Sequence, residues 1–425
     1  MSDVPERLAG PHHPETIAIG HGYDAAAAYG AVKPPIVLTS TFTYPTAAAA
    51  KEAHRTFFQS THPDEAEFIY ARLDHPNLRM VQERFAALDG AEACAAFASG
   101  MAAISAVLLA TVRPGDTVVH TAPLYGGTLG LLNGLLADLG VRAFAITDAL
   151  APAAIAEAMA RATAAGRLAL VMVESPANPT AGLTDIRAVV AAAKALGRSS
   201  HRPLVVVDNT FLGPFAQRPL EEGADLAITS LTKYAGGHSD VLGGAVTGSA
   251  AALLPVRKLR TSLGTHLDPF SAWLTLRSLE TLPLRAERAA RNAAAVAAFL
   301  NDHAKVTAVS YLGFLAEGTA ARAVYDRQCR GAGSTFSFRI DGGEREAFAM
   351  LDRLRVIRMA VSLGGTETLI CHSATTTHYS VAPEVRAAVG VDDASLRISI
   401  GLEHPDDLIA DLDQALGAIR PLART

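Results

Sequence analysis

The sequence predicts an α/β protein: a large, mostly parallel sheet covered by helices on both faces, then a smaller α+β unit. Three observations carry this. Leu204-Val-Val-Val-Asp208 is a continuous β-branched run, the pattern of a strand buried on both faces. From about residue 80, strand and helix patterns alternate. Beyond the helical stretch Ala286 to Asn301, which Arg285, Arg288 and Arg291 line, strands and helices become fewer and the alternation changes.

The elements follow in order. Residues 1–65 are rich in Gly, Pro and Thr (Lys33-Pro-Pro-Ile-Val-Leu-Thr-Ser-Thr-Phe) and show little periodicity, so they read as an extended arm that needs another surface. Residues 66–282 form the large unit. Val81 to Leu88, Met101 to Thr111, Thr128 to Leu139, Ala151 to Ala165 and Asp185 to Leu196 read as helices. Ala95-Ala-Phe-Ala, Asp116 to His120, Arg142 to Thr147, Leu168 to Glu174, Leu204 to Asp208, Asp225 to Ser230 and Gly243 to Gly248 read as strands. Residues 283–425 form the C-terminal unit. There Ser334 to Ile340, Ile357 to Ser362 and Leu396 to Ile400 are expected strands, and Glu344 to Leu354 and Pro405 to Leu416 expected helices.

Composition narrows the function classes. The 425 residues are 50% hydrophobic, enough for a substantial core. A net charge of −5 with no long basic run argues against nucleic acid and anionic membranes as partners. Cys94, Cys329 and Cys371 have neither metal-site nor thioredoxin-like spacing, which suggests a reducing cytoplasm and no metal. Met1 to Gly20 has no apolar signal region. Ala93 to Val112 is uncharged and long enough to span a bilayer, but Ser99-Gly100 interrupts it; a buried strand, a turn and a packed helix are expected instead.

Polar groups gather where predicted strands end, which is where open parallel sheets bind ligands. Asp208 closes one such strand. Lys233 follows the next, flanked by Ser230 and Thr232. Ser99-Gly100-Met101 opens a helix after a strand, offering unpaired backbone N–H groups to a phosphate. Tyr125, after the Val118-Val-His strand, can stack on a flat ring; alone it would read as a core tyrosine. Arg397 lies in an otherwise apolar strand and needs an anion, either a substrate carboxylate or a structural partner. A lysine paired with a buried acid in this setting fits pyridoxal phosphate, which needs an amine for its Schiff base and a carboxylate for its pyridine nitrogen.

The order of these motifs resembles the Cys/Met-metabolism pyridoxal phosphate enzymes. The resemblance runs from about Thr16 to Leu416. It rests on Tyr70-Ala-Arg72, Ser99-Gly-Met, Pro123-Leu-Tyr-Gly-Gly-Thr, Glu174-Ser-Pro-Ala-Asn-Pro-Thr, Asp208-Asn-Thr, Ser230-Leu-Thr-Lys-Tyr-Ala-Gly-Gly-His-Ser-Asp, Ser362-Leu-Gly-Gly and Arg397-Ile-Ser-Ile-Gly-Leu-Glu. It implies the type I aminotransferase-like fold and a homotetramer, a dimer of dimers with shared active sites. It also implies site roles: Lys233 carries the cofactor and moves protons, and Tyr125 stacks and assists. Asp208, with Thr210 beside it, holds the ring nitrogen, and Asn178 approaches the ring hydroxyl. Ser99, Gly100, Met101, Ser230 and Thr232 hold the phosphate, Tyr70 and Arg72 reach the neighbouring subunit's phosphate, and Arg397 with Ser362 binds the substrate carboxylate.

Departures from the family pattern bear on the substrate. Enzymes handling cystathionine keep charges at positions that here hold Ile69, Gly130 and Val361, so nothing obvious pairs with a distal zwitterion. Methionine γ-lyases often carry a cysteine where Gly127 stands and a Lys-Asp pair near Arg260-Thr261. Ser262-Leu-Gly-Thr-His-Leu-Asp-Pro-Phe-Ser-Ala-Trp-Leu and Cys371-His-Ser-Ala-Thr-Thr-Thr-His resemble a bacterial subgroup that includes γ-lyases on canavanine. Gly127 is expected to leave room for a larger γ-group. The reading is γ-elimination on a methionine-, homocysteine- or canavanine-type amino acid. γ-Replacement on an O-acyl-L-homoserine is the alternative, and a catalytically silent cofactor-binding regulator is the reading from another class.

Overall fold

A computed structural model describes residues 12–197, 202–379, 381 and 383–419. A seven-stranded sheet is built from β1 (Ala93–Phe97), β2 (Thr117–His120), β3 (Arg142–Ala145), β4 (Leu168–Glu174), β5 (Leu204–Asp208), β6 (Leu226–Thr229) and β7 (Gly244–Gly248). Their spatial order is β1-β7-β6-β5-β4-β2-β3, and β7 runs antiparallel to both neighbours. The remaining strands run in one direction, so their C-terminal ends lie along one edge.

Side-chain alternation explains the two covered faces. Val206 packs with Leu170, Met172, Ile228 and Val246 under the helices Gly100–Thr111 and Ala250–Leu263. Val205 and Val207 point the other way, onto the helices Pro152–Ala165 and Ile186–Leu196. All three valines are 0% exposed. Each contributes roughly 1.5–3 kcal/mol by burial.

A five-stranded sheet follows, made of β8 (Val306–Ser310), β9 (Thr335–Ile340), β10 (Arg358–Met359), β11 (Leu369–His372) and β12 (Ser395–Ser399) in the order β10-β11-β12-β9-β8. Phe336, Phe338, Leu396 and Ile398 face helices 282–302, 344–351 and 405–416. The alternate residues Thr335, Ser337, Arg397 and Ser399 are polar and form the opposite face. That face is laid against the large sheet: Ser337 Oγ donates to the Pro179 carbonyl at 2.6 Å, and Tyr234 Oη lies 2.9 Å from Thr335 Oγ1.

Several expected elements shift. The arm is not wholly extended: Pro14–Gly20 and Ala47–Gln59 are helical, the second capped by Thr46. Residues 1–11 of the arm lie outside the described residues. Of the strand expected at 357–362 only Arg358–Met359 pairs, because the chain turns at Ser362, where φ is +107°. The stretch 93–112 is a strand and a buried helix, as the Ser99-Gly100 break suggests. No helix among the described residues is long and apolar enough to cross a membrane.

Candidate active site

The C-terminal edge of the large sheet collects the predicted groups. Glu174 ends β4 and Asp208 ends β5, and the two are register partners. Both are 5% exposed. Asp208 accepts from the Thr210 backbone N–H at 3.0 Å, and burial pushes its carboxyl upward. Thr210 Oγ1 in turn accepts from the Ser230 N–H at 2.9 Å, tying the end of β5 to the lysine loop.

That loop, residues 230–243, leaves β6 and returns as the adjacent antiparallel β7. Lys233 Nζ donates to Ser362 Oγ at 2.8 Å. Burial, and then the positive charge of Arg397, pull its amine down to about 8. Arg285 clamps the loop by donating to the carbonyls of Tyr234, Ala235 and Ser278. Gly237, at φ +68°, makes space for it: a Cβ there would lie 1.7 Å from the guanidinium.

Arg397 reaches the same place from β12. Nη1 donates to Asn178 Oδ1 at 3.0 Å and Nη2 to the Ser362 carbonyl at 2.7 Å. Its buried Nε has no acceptor among the described residues. A buried guanidinium with a spare donor fits an incoming carboxylate. Ser362 therefore meets both cations, its hydroxyl on the lysine and its carbonyl on the arginine. Its positive φ is unusual for a serine and costs on the order of 1–3 kcal/mol, held by the surrounding contacts.

Ser99 caps helix 100–111 through its Oγ, which accepts from Ala102 N–H at 3.0 Å. Gly100 and Gly244 permit the close approach of this turn to its neighbours. A Cβ on Gly100 would lie 3.0 Å from the Ser230 side chain, and one on Gly244 only 2.3 Å from the Ser99 carbonyl. Thr232 Oγ1 accepts from Gly243 N–H at 3.0 Å and so braces the loop. Met101 lies beside the Tyr125 turn. The Tyr125 ring is 40% exposed.

One sequence-based expectation meets a different arrangement. The space over Gly127 is not free for a substrate group: a Cβ there would lie 2.7 Å from the Tyr125 ring and 2.9 Å from Met101 Sδ. Arg260 is 3% exposed and serves the core, donating to Gln82 Oε1 and to the Ala96 carbonyl. Arg72 Nη1 donates to the Thr261 carbonyl at 2.6 Å, and its guanidinium sits 5.8 Å from the Tyr70 ring centre. Among the described residues no hydrogen bond links Tyr70 or Arg72 to the Lys233 cluster.

Glu174, Tyr234 and Arg285 received no role from the sequence. Glu174 accepts the backbone N–H of Tyr125 at 2.6 Å and that of Asn178 at 2.7 Å. Tyr234 joins the lysine loop to the second sheet through Ser334 and Thr335. An acid closing a fully buried strand was the available signal for Glu174.

The donor set fits pyridoxal phosphate. It offers a buried amine of lowered basicity, a buried carboxyl without a cation partner among the described residues, a ring-sized aromatic and a glycine-opened helix start.

The family model described as Cys/Met metabolism PLP-dependent enzyme matches residues 15–417. L-methionine gamma-lyase of Pseudomonas putida is 38% identical over 95% of this chain and 97% of its own. Cystathionine gamma-synthase of Mycobacterium bovis is also 38% identical, over 95% and 97%. The crystal structure of cystathionine gamma synthase from Xanthomonas oryzae pv. oryzae, in complex with aminoacrylate and cysteine, superposes with a TM-score of 0.86. It is 38% identical and covers 96% of this chain and 99% of that one.

Proposed function

The chain belongs to the Cys/Met metabolism PLP-dependent enzyme family, and on that premise we propose that it catalyses γ-elimination from a γ-substituted L-amino acid of the methionine, homocysteine or canavanine type. One observation carries this most: Lys233, on the loop after β6, and Arg397, on β12, share Ser362, through its hydroxyl and its carbonyl. An amine able to move a proton thus stands beside the group that binds the substrate carboxylate.

Lys233, Asp208, Tyr125, Asn178, the helix start at Ser99 to Met101, and Ser230 and Thr232 hold the cofactor in this reading. When bound, pyridoxal phosphate supplies the electron sink for charge that develops at the substrate Cα. Arg397 orients the carboxylate and so sets which Cα bond faces Lys233. Lys233 Nζ takes the Cα proton; a Cβ proton then leaves and the γ-substituent departs. Addition of water and release of ammonia leave 2-oxobutanoate.

Ile69, 8% exposed, and Val361, half exposed, present no charge to a second zwitterion, which supports a substrate without one. The likeness to cystathionine gamma-synthases supports a second reading, γ-replacement on an O-acyl-L-homoserine.

Residues 66–282 act as the cofactor-binding unit and 283–425 as the substrate-orienting unit. The arm at 1–65 packs on a second subunit of a homotetramer. Tyr29, Val32 and Leu38, at 103%, 86% and 74% exposure, would be covered there. Tyr70 and Arg72 would then serve the partner's site. The reaction is tested by 2-oxobutanoate release from L-methionine, L-canavanine, L-homocysteine, L-cystathionine and O-acyl-L-homoserines, each with and without sulfide. Release without sulfide is expected; product only from an O-acylhomoserine plus sulfide would replace this reading with the second.

A further inference from the structure

Glu174 is 5% exposed and both its carboxyl oxygens are committed to backbone donors. One takes the N–H of Tyr125, in the turn after β2. The other takes the N–H of Asn178, in the turn after β4 itself. Asn178 then carries Arg397 through its side-chain oxygen, 3.0 Å away. No salt bridge reaches Glu174 among the described residues, and its neighbour across the strand pair is Asp208.

We propose that Glu174 is a positioning residue that holds the ring-stacking tyrosine, the ring-facing asparagine and, through it, the substrate-binding arginine in one arrangement. The inference rests on the cofactor roles proposed above and deepens them. Two turns from different strands end on one carboxyl, so neither can shift without pulling on the other. Removing one acceptor would leave a backbone N–H without the partner that fixes its turn. Burial, and then the Asp208 carboxyl, push Glu174 up to about 8 in the chain alone. A positively charged ring nitrogen at Asp208 would offset the repulsion from the Asp208 carboxyl, and so favour the ionised Glu174 that orients the ring.

Glutamine discriminates sharply. A protonated carboxyl still offers lone pairs on both oxygens, whereas a carboxamide nitrogen offers none. Glu174→Gln therefore sets a donor against a donor at Tyr125 or Asn178, with no change in size.

The test measures cofactor affinity of the apoprotein, visible circular dichroism of the bound cofactor, and kcat and KM, for wild type and Glu174→Gln, with far-ultraviolet circular dichroism to establish folding. We expect cofactor affinity to fall about tenfold to a hundredfold, the scale of a charged hydrogen bond. The visible band should change in intensity as the stacked ring loses its orientation, and KM should rise as Arg397 loosens. Affinity within twofold of wild type and an unchanged band would overturn the proposal. Should Glu174→Gln fail to fold, Glu174→Asp carries the test: it keeps both acceptors but, one methylene shorter, cannot reach both donors. Unaltered affinity there is equally fatal. A wild type lacking any cofactor band would remove the site reading itself, and this inference with it.

Discussion

Lys233, on the loop after β6, and Arg397, on β12 of the second sheet, meet at a single residue, Ser362, whose hydroxyl accepts from the amine and whose carbonyl accepts from the guanidinium. The pairing places two positive charges close together in a buried site, and the lysine yields, its amine lowered to about 8. The chain thereby sets an amine of lowered basicity beside a guanidinium, from one loop and one strand.

Lys233→Ala removes the only amine placed to bond the cofactor in this reading. After dialysis the purified variant is expected to lack the yellow absorbance of wild type. Persistent yellow absorbance would show that another residue carries the cofactor.

Arg397→Lys keeps the charge but gives up the planar fork. Asn178 Oδ1 and the Ser362 carbonyl cannot both be served, and the carboxylate loses its bidentate partner. KM is expected to rise roughly tenfold to a hundredfold, equivalent to about 1.5–3 kcal/mol, with a smaller fall in kcat. Steady-state kinetics on the best substrate of the panel decides it; an unchanged KM would move the carboxylate elsewhere.

Arg285→Met tests the loop clamp. The substitution preserves much of the apolar stem but strips the donors from three carbonyls, at Tyr234, Ala235 and Ser278. A loss of about 2–4 kcal/mol follows from the unpaired buried acceptors. Thermal unfolding should drop by several degrees, and residual activity should fall because the freed loop carries Lys233.

His75 caps the helix 76–89, its Nδ1 accepting the Leu78 N–H at 3.1 Å while Nε2 faces the Leu267 carbonyl at 2.9 Å. Only the neutral ring can do both. Burial, with smaller effects from His266 and Arg260, holds it down to about 4, against the ordinary 6.5; Asp268 opposes them. The unfolded chain binds the proton more readily, so this stabilisation is complete above about pH 6.5 and is lost as the pH falls toward 4. Glu174 works in the opposite sense, so the comparison needs a variant. His75→Asn keeps a good cap without titrating. Between pH 7 and 5 it should lose on the order of 2 kcal/mol less stability than wild type by urea unfolding; equal losses would assign the acid sensitivity elsewhere.

Gly127→Ala brings a methyl into the space of the Tyr125 ring and Met101. The ring must tilt, so kcat is expected to fall severalfold while the fold survives. An unaffected kcat would show that the tyrosine's pose is not critical to turnover.

Most of the large sheet was legible because its strands are uninterrupted apolar runs and its helices are amphipathic. Leu168–Glu174 and Leu204–Asp208 needed no tertiary information. The second sheet was harder. Val306–Ser310 is a largely exposed edge strand with little apolar signature, and it escaped the reading. Helix Ala250–Leu263 carries Pro255 in its interior, which masks a helical pattern. Asp208 and Arg397 stood out as charged residues in apolar strands, and Lys233 and Tyr125 as polar residues in the turns that follow predicted strands. Glu174 could not be given a role, because its task is to receive two backbone N–H groups from turns whose meeting is invisible in one dimension. Likewise the spare room imagined at Gly127 belongs to a side chain two residues away, a fact of local folding rather than of composition.

The loop 230–243 begins on β6 and ends on β7, its hydrogen-bonded neighbour. Both ends are anchored side by side on one sheet, while the middle is tied to distant parts of the chain, by Arg285 at the Tyr234 and Ala235 carbonyls and by Ser362 at Lys233. Distant contacts, together with local sequence, then govern how the amine is presented. A graft confined to these residues would therefore have to keep the carbonyls that Arg285 holds and the glycine that admits it.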